Sequence, residues 1–308
     1  MRGAWWDHAR AGTMMRSFFR RLLGGPEATP PSTPPPGRDA QLNIYNAARL
    51  KEEGPQHFEF LRFDSNNDCN VQCVYCHNPR SPDLFDLDDF TAYLRDNVVS
   101  LDNFQLGCIM EPTLDARMCD FMLRVRAAPV PPAYRFILQT NGILLHRHDL
   151  VKMRDAGLDC LSVSLDSPDP TTLKLLRGGT SLRKVTSNIR SFREALPDAH
   201  IVFLTTVTRA NLNEIDALVA FGLDLGVERF VLREVFYLPQ PYFEDSRGPE
   251  KNRVDHARMP DLMLRDGDFA GIRETLLARY GARTTFEFAD NATLRQSADR
   301  MKKDSLRP

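Results

Sequence analysis

The sequence predicts an α/β fold of parallel strands with helices outside them, either closed as a barrel or open as a doubly wound sheet. Three observations predict it. From about residue 55 onward, strand-like runs alternate with helical runs. Apolar residues make up 42% of the 308, enough to bury a sizeable core. The chemically distinctive motifs fall just after strands, where both architectures build their sites.

The elements follow in order. Residues 1–25 form a basic tail that can fold as an amphipathic helix, with Trp5, Trp6, Phe18, Phe19, Leu22 and Leu23 opposite Arg16, Arg20 and Arg21. It reads as a weak membrane-surface or partner contact, as a frayed tail, or as an upstream start with translation beginning at Met14 or Met15. Residues 26–40 carry PEATPPSTPPPGR, too proline-rich to join a sheet, and read as a linker. HFEFLRFD (57–64) is a strand, LDDFTAYLRDNVV (87–99) a helix and NFQLGCIM (103–110) a strand. In 114–128 a helix places Leu114, Met118, Phe121, Met122 and Val125 on one face. YRFILQTN (134–141) is a strand, followed by a helix over 146–156 that ends at Gly157. CLSVSLD (160–166) is a strand; Leu182, Val185, Ile189, Phe192 and Leu196 then keep helical spacing. HIVFLTTVT (200–208) is a strand, and Asn211 with Glu214 suggests a capping box. ERFVLREVF (228–236) is the sixth strand, and 239–266 is loop-rich. A helix near 268–280, a strand at 284–289 and a polar helix complete the chain.

Lys plus Arg (40) nearly cancel Asp plus Glu (41), so no global field draws in nucleic acid. No apolar run approaches the roughly 20 residues that span a bilayer, and the N-terminus lacks a secretory h-region and cleavage site. Three of the six cysteines lie within eight positions, which points away from a secreted disulfide framework and toward metal chemistry in a reducing cytoplasm.

Those three, Cys69, Cys73 and Cys76, follow the first strand in DCNVQCVYCHN. A C-x3-C-x2-C loop lets thiolates converge on three corners of an iron–sulfur cubane and leaves one iron open for a ligand. Zinc, with His77 or Cys108 as fourth ligand, is the competing reading. No fourth cysteine follows at short spacing to complete an electron-transfer cluster. Cys108 and Cys119 read as ordinary buried thiols.

The loop resembles the signature of the radical S-adenosylmethionine (SAM) superfamily, C-x3-C-x-aromatic-C, with Tyr75 in the aromatic place. The resemblance covers residues 55–240, which makes that stretch the core and 241–308 an extension completing or covering it. It implies a partial (β/α)6 TIM-like barrel, a 4Fe–4S cluster on Cys69, Cys73 and Cys76, and SAM as cofactor. GCIMEPTLD resembles the family's Gly-Gly-Glu-Pro segment, so Glu111 would accept from the cofactor's amino group, although Ile109 and Met110 stand where glycines are usual. The other reading of Glu111 is a carboxylate opening a helix.

QTNG resembles the Thr-Asn-Gly of the third strand end, with Asn141 either at the cofactor or simply in a turn. In the fourth strand Leu161, Val163 and Leu165 alternate with Cys160, Ser162, Ser164 and Asp166, and a polar inner face suits a polar ligand. The resemblance brings Ser164 to the ribose hydroxyls. SPDPTTLKLLRGG is similar to molybdenum-cofactor cyclisation and peptide-modifying members, and makes Arg177 the candidate partner of the cofactor's carboxylate, or else a surface arginine. Of Thr205 and Thr206, and of Arg233 and Glu234, only one of each can face the site.

The implied activity is reductive cleavage of SAM to a 5′-deoxyadenosyl radical that abstracts hydrogen from a small-molecule or peptide substrate, with flavodoxin or ferredoxin as reductant. No cysteine follows Cys160, so a C-terminal auxiliary-cluster domain is not expected. An iron–sulfur electron-transfer or sensing protein, or a zinc-binding interaction module, remains the alternative.

Overall fold

The computed structural model describes residues 38–42, 56–76, 78, 80–128, 134–236 and 257–292. The N-terminal tail, most of the proline-rich linker, His77, most of the 239–266 loop and the final polar helix lie outside them.

Eight parallel strands form one sheet. The elements run in chain order through β1 (Arg38–Leu42), β2 (Gln56–Phe63), the two-residue β3 (Gln72–Cys73), α1 (Leu87–Asn97) and β4 (Val98–Leu106). Next come α2 (Met118–Ala127), β5 (Arg135–Thr140), α3 (Leu150–Asp155), β6 (Cys160–Ser164) and α4 (Pro170–Leu176). Then follow β7 (Arg177–Gly178), α5 (Leu182–Ala195), β8 (His200–Val207), α6 (Ile215–Asp224) and β9 (Arg229–Glu234). Last are α7 (Met259–Leu262), α8 (Asp268–Tyr280) and β10 (Thr285–Ala289). The strand order is β1-β2-β4-β5-β6-β8-β9-β10, every neighbouring pair parallel.

The sheet curls. Gln41 of β1 and Arg233 of β9, near opposite edges, line one cavity, as only a partial barrel allows. Its two faces differ chemically. Leu161, Val163, Ile201, Phe203, Phe230 and Leu232 join the large core under the helices. Val202, Leu204 and Val231, on the alternate face, form a separate small cluster with Cys160. Ser162 and Ser164 lie on that same inner face, which is the predicted polar lining. Among the described residues no helix is long and apolar enough to cross a membrane.

The six predicted strands are all present, and so are the predicted strand and helix near the end. Several boundaries differ for physical reasons. The segment read as linker ends in a strand, since Arg38 already pairs with β2. β4 starts earlier than expected, at Val98, because the β-branched Val98 and Val99 leave the helix for the sheet. It also stops at Leu106 instead of 110. Gly107 turns the chain at φ +81, and a Cβ there would sit 2.4 Å from the Gln139 carbonyl oxygen.

The expected helix over 114–128 splits into a 3-10 turn, Pro112–Leu114, and α2. Leu114 therefore leaves the apolar face and is 36% exposed. The helix over 146–156 is a 3-10 turn, Leu145–Arg147, followed by α3, whose Asp149 cap accepts from the backbone N–H of Val151 and Lys152. The Asn211–Glu214 capping box does not form. Asn211 Oδ1 instead accepts from the Thr208 N–H and hydroxyl, and its amide donates to the Asp166 and Thr206 carbonyls. Glu214 accepts from Ser167 and Thr172.

Candidate functional site

The loop after β2 is pinned before it reaches its cysteines. The Asn67 amide donates to Ser81 Oγ at 2.8 Å, and the Asn67 N–H to the Asp83 carbonyl at 3.0 Å. The Asn66 amide donates to the Glu111 carbonyl at 2.9 Å, and the Glu111 N–H returns to the Asp68 carbonyl at 3.0 Å. Arg80 donates to the carbonyls of Cys69 and Val71, clamping the loop from its far side. β3 pairs antiparallel with β7, so that Cys73 lies opposite Arg177, and the Cys76 N–H closes a turn onto the Cys73 carbonyl.

Cys69, Cys73 and Cys76 open together onto a cavity of about 360 Å³. This lies at the small end of the range for small-molecule sites. The three thiols line it together, and among the described residues no three His, Cys, Asp or Glu side chains are arranged to hold a single metal ion. Burial pushes Cys69 up to about 11 and Cys73 up to about 12, the Arg177 charge partly opposing the rise at Cys73. Thiolates here need a cationic ligand to offset desolvation, which ligated iron provides. The donor set fits an iron–sulfur cluster.

Glu111 follows β4 and is 2% exposed. Its Oε1 accepts from the Thr113 N–H (3.1 Å), the Thr113 hydroxyl (2.5 Å) and the Thr140 hydroxyl (2.6 Å). Oε2 accepts only the Asn141 N–H, at 2.7 Å, and keeps a lone pair for a ligand. Glu111 therefore caps the Pro112–Leu114 turn, as one sequence reading had it, and also lines the cavity. Burial raises its pKa against these donors. Asn141 also serves the loop, its amide donating to Asn70 Oδ1 at 2.7 Å while its Oδ1 accepts the Ile143 N–H at 3.0 Å. Ser164 ends β6 on the cavity wall, 9% exposed.

Arg177 departs from expectation. Its planar fork, expected to meet the cofactor's carboxylate, already grips Asp166: Nε at 2.7 Å from Oδ2 and Nη2 at 3.1 Å from Oδ1. The remaining Nη1 lies 3.8 Å from Cys73 Sγ. Asp166 is fully buried and also accepts the Thr206 N–H at 2.8 Å and the Tyr75 hydroxyl. The Tyr75 ring lies 5.7 Å from the Arg177 guanidinium, and desolvation drives its phenol well above the usual value. The signature aromatic thus belongs to a buried Tyr75–Asp166–Arg177 network beside Cys73.

Two residues escaped the sequence reading. Asp166 was legible only as the last polar position of the fourth strand. Asp64 ends the first, where its buried carboxylate gathers the N–H groups of Cys108 (2.8 Å), Ile109 (3.3 Å) and Met110 (3.2 Å), and the Gln41 amide. An ionisable residue closing a strand was the available signal in both cases. Of the ambiguous pairs, Arg233 lines the cavity while Glu234 accepts the Asn291 N–H. Thr205 is buried and donates its hydroxyl to the Leu165 carbonyl.

Comparison with known proteins agrees with this geometry. The family model of the radical SAM superfamily matches residues 65–222. A probable GTP 3′,8-cyclase of Archaeoglobus fulgidus is 26% identical over 205 residues, covering 63% of this chain and 66% of its own length. A GTP 3′,8-cyclase of Parasynechococcus marenigrum is 30% identical over 219 residues, covering 62% and 60%. The chain thus spans slightly less than two thirds of these relatives. In fold it is similar to Streptococcus suis SuiB bound to S-adenosylmethionine, with a TM-score of 0.57 at 16% identity over 91% of this chain and 60% of that one. It also resembles anSMEcpe with bound AdoMet, with a TM-score of 0.55 at 17% identity over 74% and 63%.

Proposed function

The chain belongs to the radical SAM superfamily, and on that premise we propose that it is an enzyme holding a 4Fe–4S cluster on Cys69, Cys73 and Cys76, with S-adenosylmethionine bound beside it. One observation carries the reading. A single cavity brings the three thiols of the loop after β2 together with Glu111, Asn141 and Ser164 from the ends of three further strands. When bound, the cluster and cofactor supply an electron and a 5′-deoxyadenosyl radical able to remove hydrogen from a substrate.

The chain's own residues bind and orient. Glu111 Oε2 has acceptor capacity left for the cofactor's amino group. Asn141 ties that carboxylate to the cysteine loop, so the two cannot drift apart. Ser164 offers a hydroxyl to the ribose side. With its fork on Asp166, Arg177 supplies positive charge at Cys73 rather than a carboxylate clamp, and Tyr75 holds that arrangement through Asp166. Substrate choice is a separate matter. The relatives are named for a nucleotide, and SuiB is also known bound to its precursor peptide SuiA, so small-molecule and peptide tailoring both suit the fold. A flavodoxin or ferredoxin is the proposed electron donor.

Anaerobic loading with iron and sulfide, then addition of dithionite and SAM, tests the reading. The expected result is iron–sulfur absorbance and formation of 5′-deoxyadenosine, both abolished in Cys76→Ala. Binding of zinc alone, or of a cluster that never cleaves SAM, sinks the enzyme reading and favours a sensing or interaction role.

A further inference from the structure

The inner face of the barrel carries a guanidinium with nothing to hold. Arg233 lies on β9 and lines the cavity. Among the described residues it makes no hydrogen bond or ion pair. Its neighbours explain why. Arg62 on β2 is close enough to add a like charge, while its guanidinium stacks on Phe60, 4.0 Å from the ring centroid. Glu287 on β10, the carboxylate among the described residues whose charge acts on Arg233, is already bonded to Arg229. Asp64 spends its carboxylate on the N–H groups of residues 108–110 and on Gln41. Cys108 completes the neighbourhood, as a thiol that burial pushes up to about 12 and that brings no negative charge.

Arg233 keeps its side chain exposed at the cavity, so an incoming oxyanion can reach its N–H donors without first breaking a pair within the described residues. The cysteine loop and Glu111 already define the cofactor's side of the cavity, whereas Arg233 belongs to the last core strand, next to the edge strand β10. Gln139 also faces the cavity and donates to the Cys108 carbonyl at 2.9 Å, fixing the wall between the two regions.

We propose that Arg233 is a substrate-specificity residue: the cavity accepts a substrate bearing a carboxylate or phosphate group, and that oxyanion pairs with the Arg233 guanidinium. The inference rests on the enzyme reading above for the word substrate, but not for the anion site. A planar guanidinium offers two parallel N–H donors to either oxyanion, and the second positive charge of Arg62 strengthens the pull on a dianion.

The test is a calorimetric titration of the full chain, before and after anaerobic cluster loading, with inorganic phosphate and separately with malonate as probes. Running it on unloaded protein separates failure of this site from failure of the cysteine assignment. Wild type should bind one probe or both, and Arg233→Gln should bind at least about tenfold more weakly, as loss of a charge-assisted pair predicts. Arg233→Lys should recover part of the affinity for phosphate. SAM affinity of the loaded protein, measured alongside, should stay within about twofold in Arg233→Gln. Binding of phosphate or malonate alone supports the site and names the anion class. Equal binding by wild type and Arg233→Gln, no binding by either, or a loss confined to SAM affinity each overturn the proposal.

Discussion

Replacing Asp166 by Ala removes one side chain and strands several others. Asp166 is fully buried and the Arg177 side chain is 9% exposed, so neither charge can turn to water. The carboxylate accepts Arg177 Nε and Nη2 at 2.7 and 3.1 Å, the Thr206 N–H at 2.8 Å and the Tyr75 hydroxyl. Breaking a buried pair by deleting one partner costs about 3–5 kcal/mol. A water entering the space would recover part of what Thr206 and Tyr75 lose. The net expectation is a loss of about 4 kcal/mol. A double change, Asp166→Leu with Arg177→Met, removes both charges and should cost about 2 kcal/mol or less, well below the sum of the two single changes. Denaturant unfolding of the unloaded full chain at pH 7 measures all three, with the slope m compared so that a change in the unfolded state is not mistaken for lost stability. A loss under about 1 kcal/mol for Asp166→Ala, or single losses that simply add, would refute the claim that this pair is a closed, desolvated unit.

Two further predictions concern the loop carrying Glu111. Burial lifts Asp64 from 3.8 to about 6, so in that window the folded chain holds a proton the unfolded chain has released. Its contribution is therefore full below the unfolded value and lost as pH rises through about 6, a change of about 3 kcal/mol. Asp64→Asn should flatten this part of the stability–pH curve; an unaltered curve would show that the carboxylate ionises as freely in the fold as outside it. Gly107→Ala should cost about 2 kcal/mol or more, because φ is +81 and the new Cβ would press on the Gln139 carbonyl at 2.4 Å. A melting profile matching wild type would mean that the turn has another conformation available.

Much of the site was readable because its signals are local. Cys69, Cys73 and Cys76 sit within eight positions, and a single loop brings local spacing to one place whatever the fold around it. Ser164 closes β6, Asn141 directly follows β5 and Glu111 lies in the loop after β4, and strand ends in a parallel α/β fold converge on one rim. Arg177 was readable as a residue but not in its partner. The choice of Asp166 over a ligand's carboxylate depends on how α4 and β7 bring the guanidinium back against the end of β6. A capping box at Asn211 was a reasonable local inference, overridden once the Asp166 and Thr206 carbonyls stood within reach.

What the amino-acid order determined by itself was periodicity and short-range chemistry: six strands, the helices between them, a polar inner face on the fourth strand, and three thiols on one loop. Alternation and spacing act over a few residues, so no tertiary knowledge was needed. Only the folded chain decided where β4 stops, since the N–H groups that would extend its ladder are taken by Asp64, 44 to 46 residues earlier. It alone chose Arg233 over Glu234 for the cavity, and gave that cation no hydrogen-bond or ion-pair partner among the described residues. Those outcomes depend on the curl of the sheet, which brings β9 around to face β2, and no pattern along the chain encodes how far it closes.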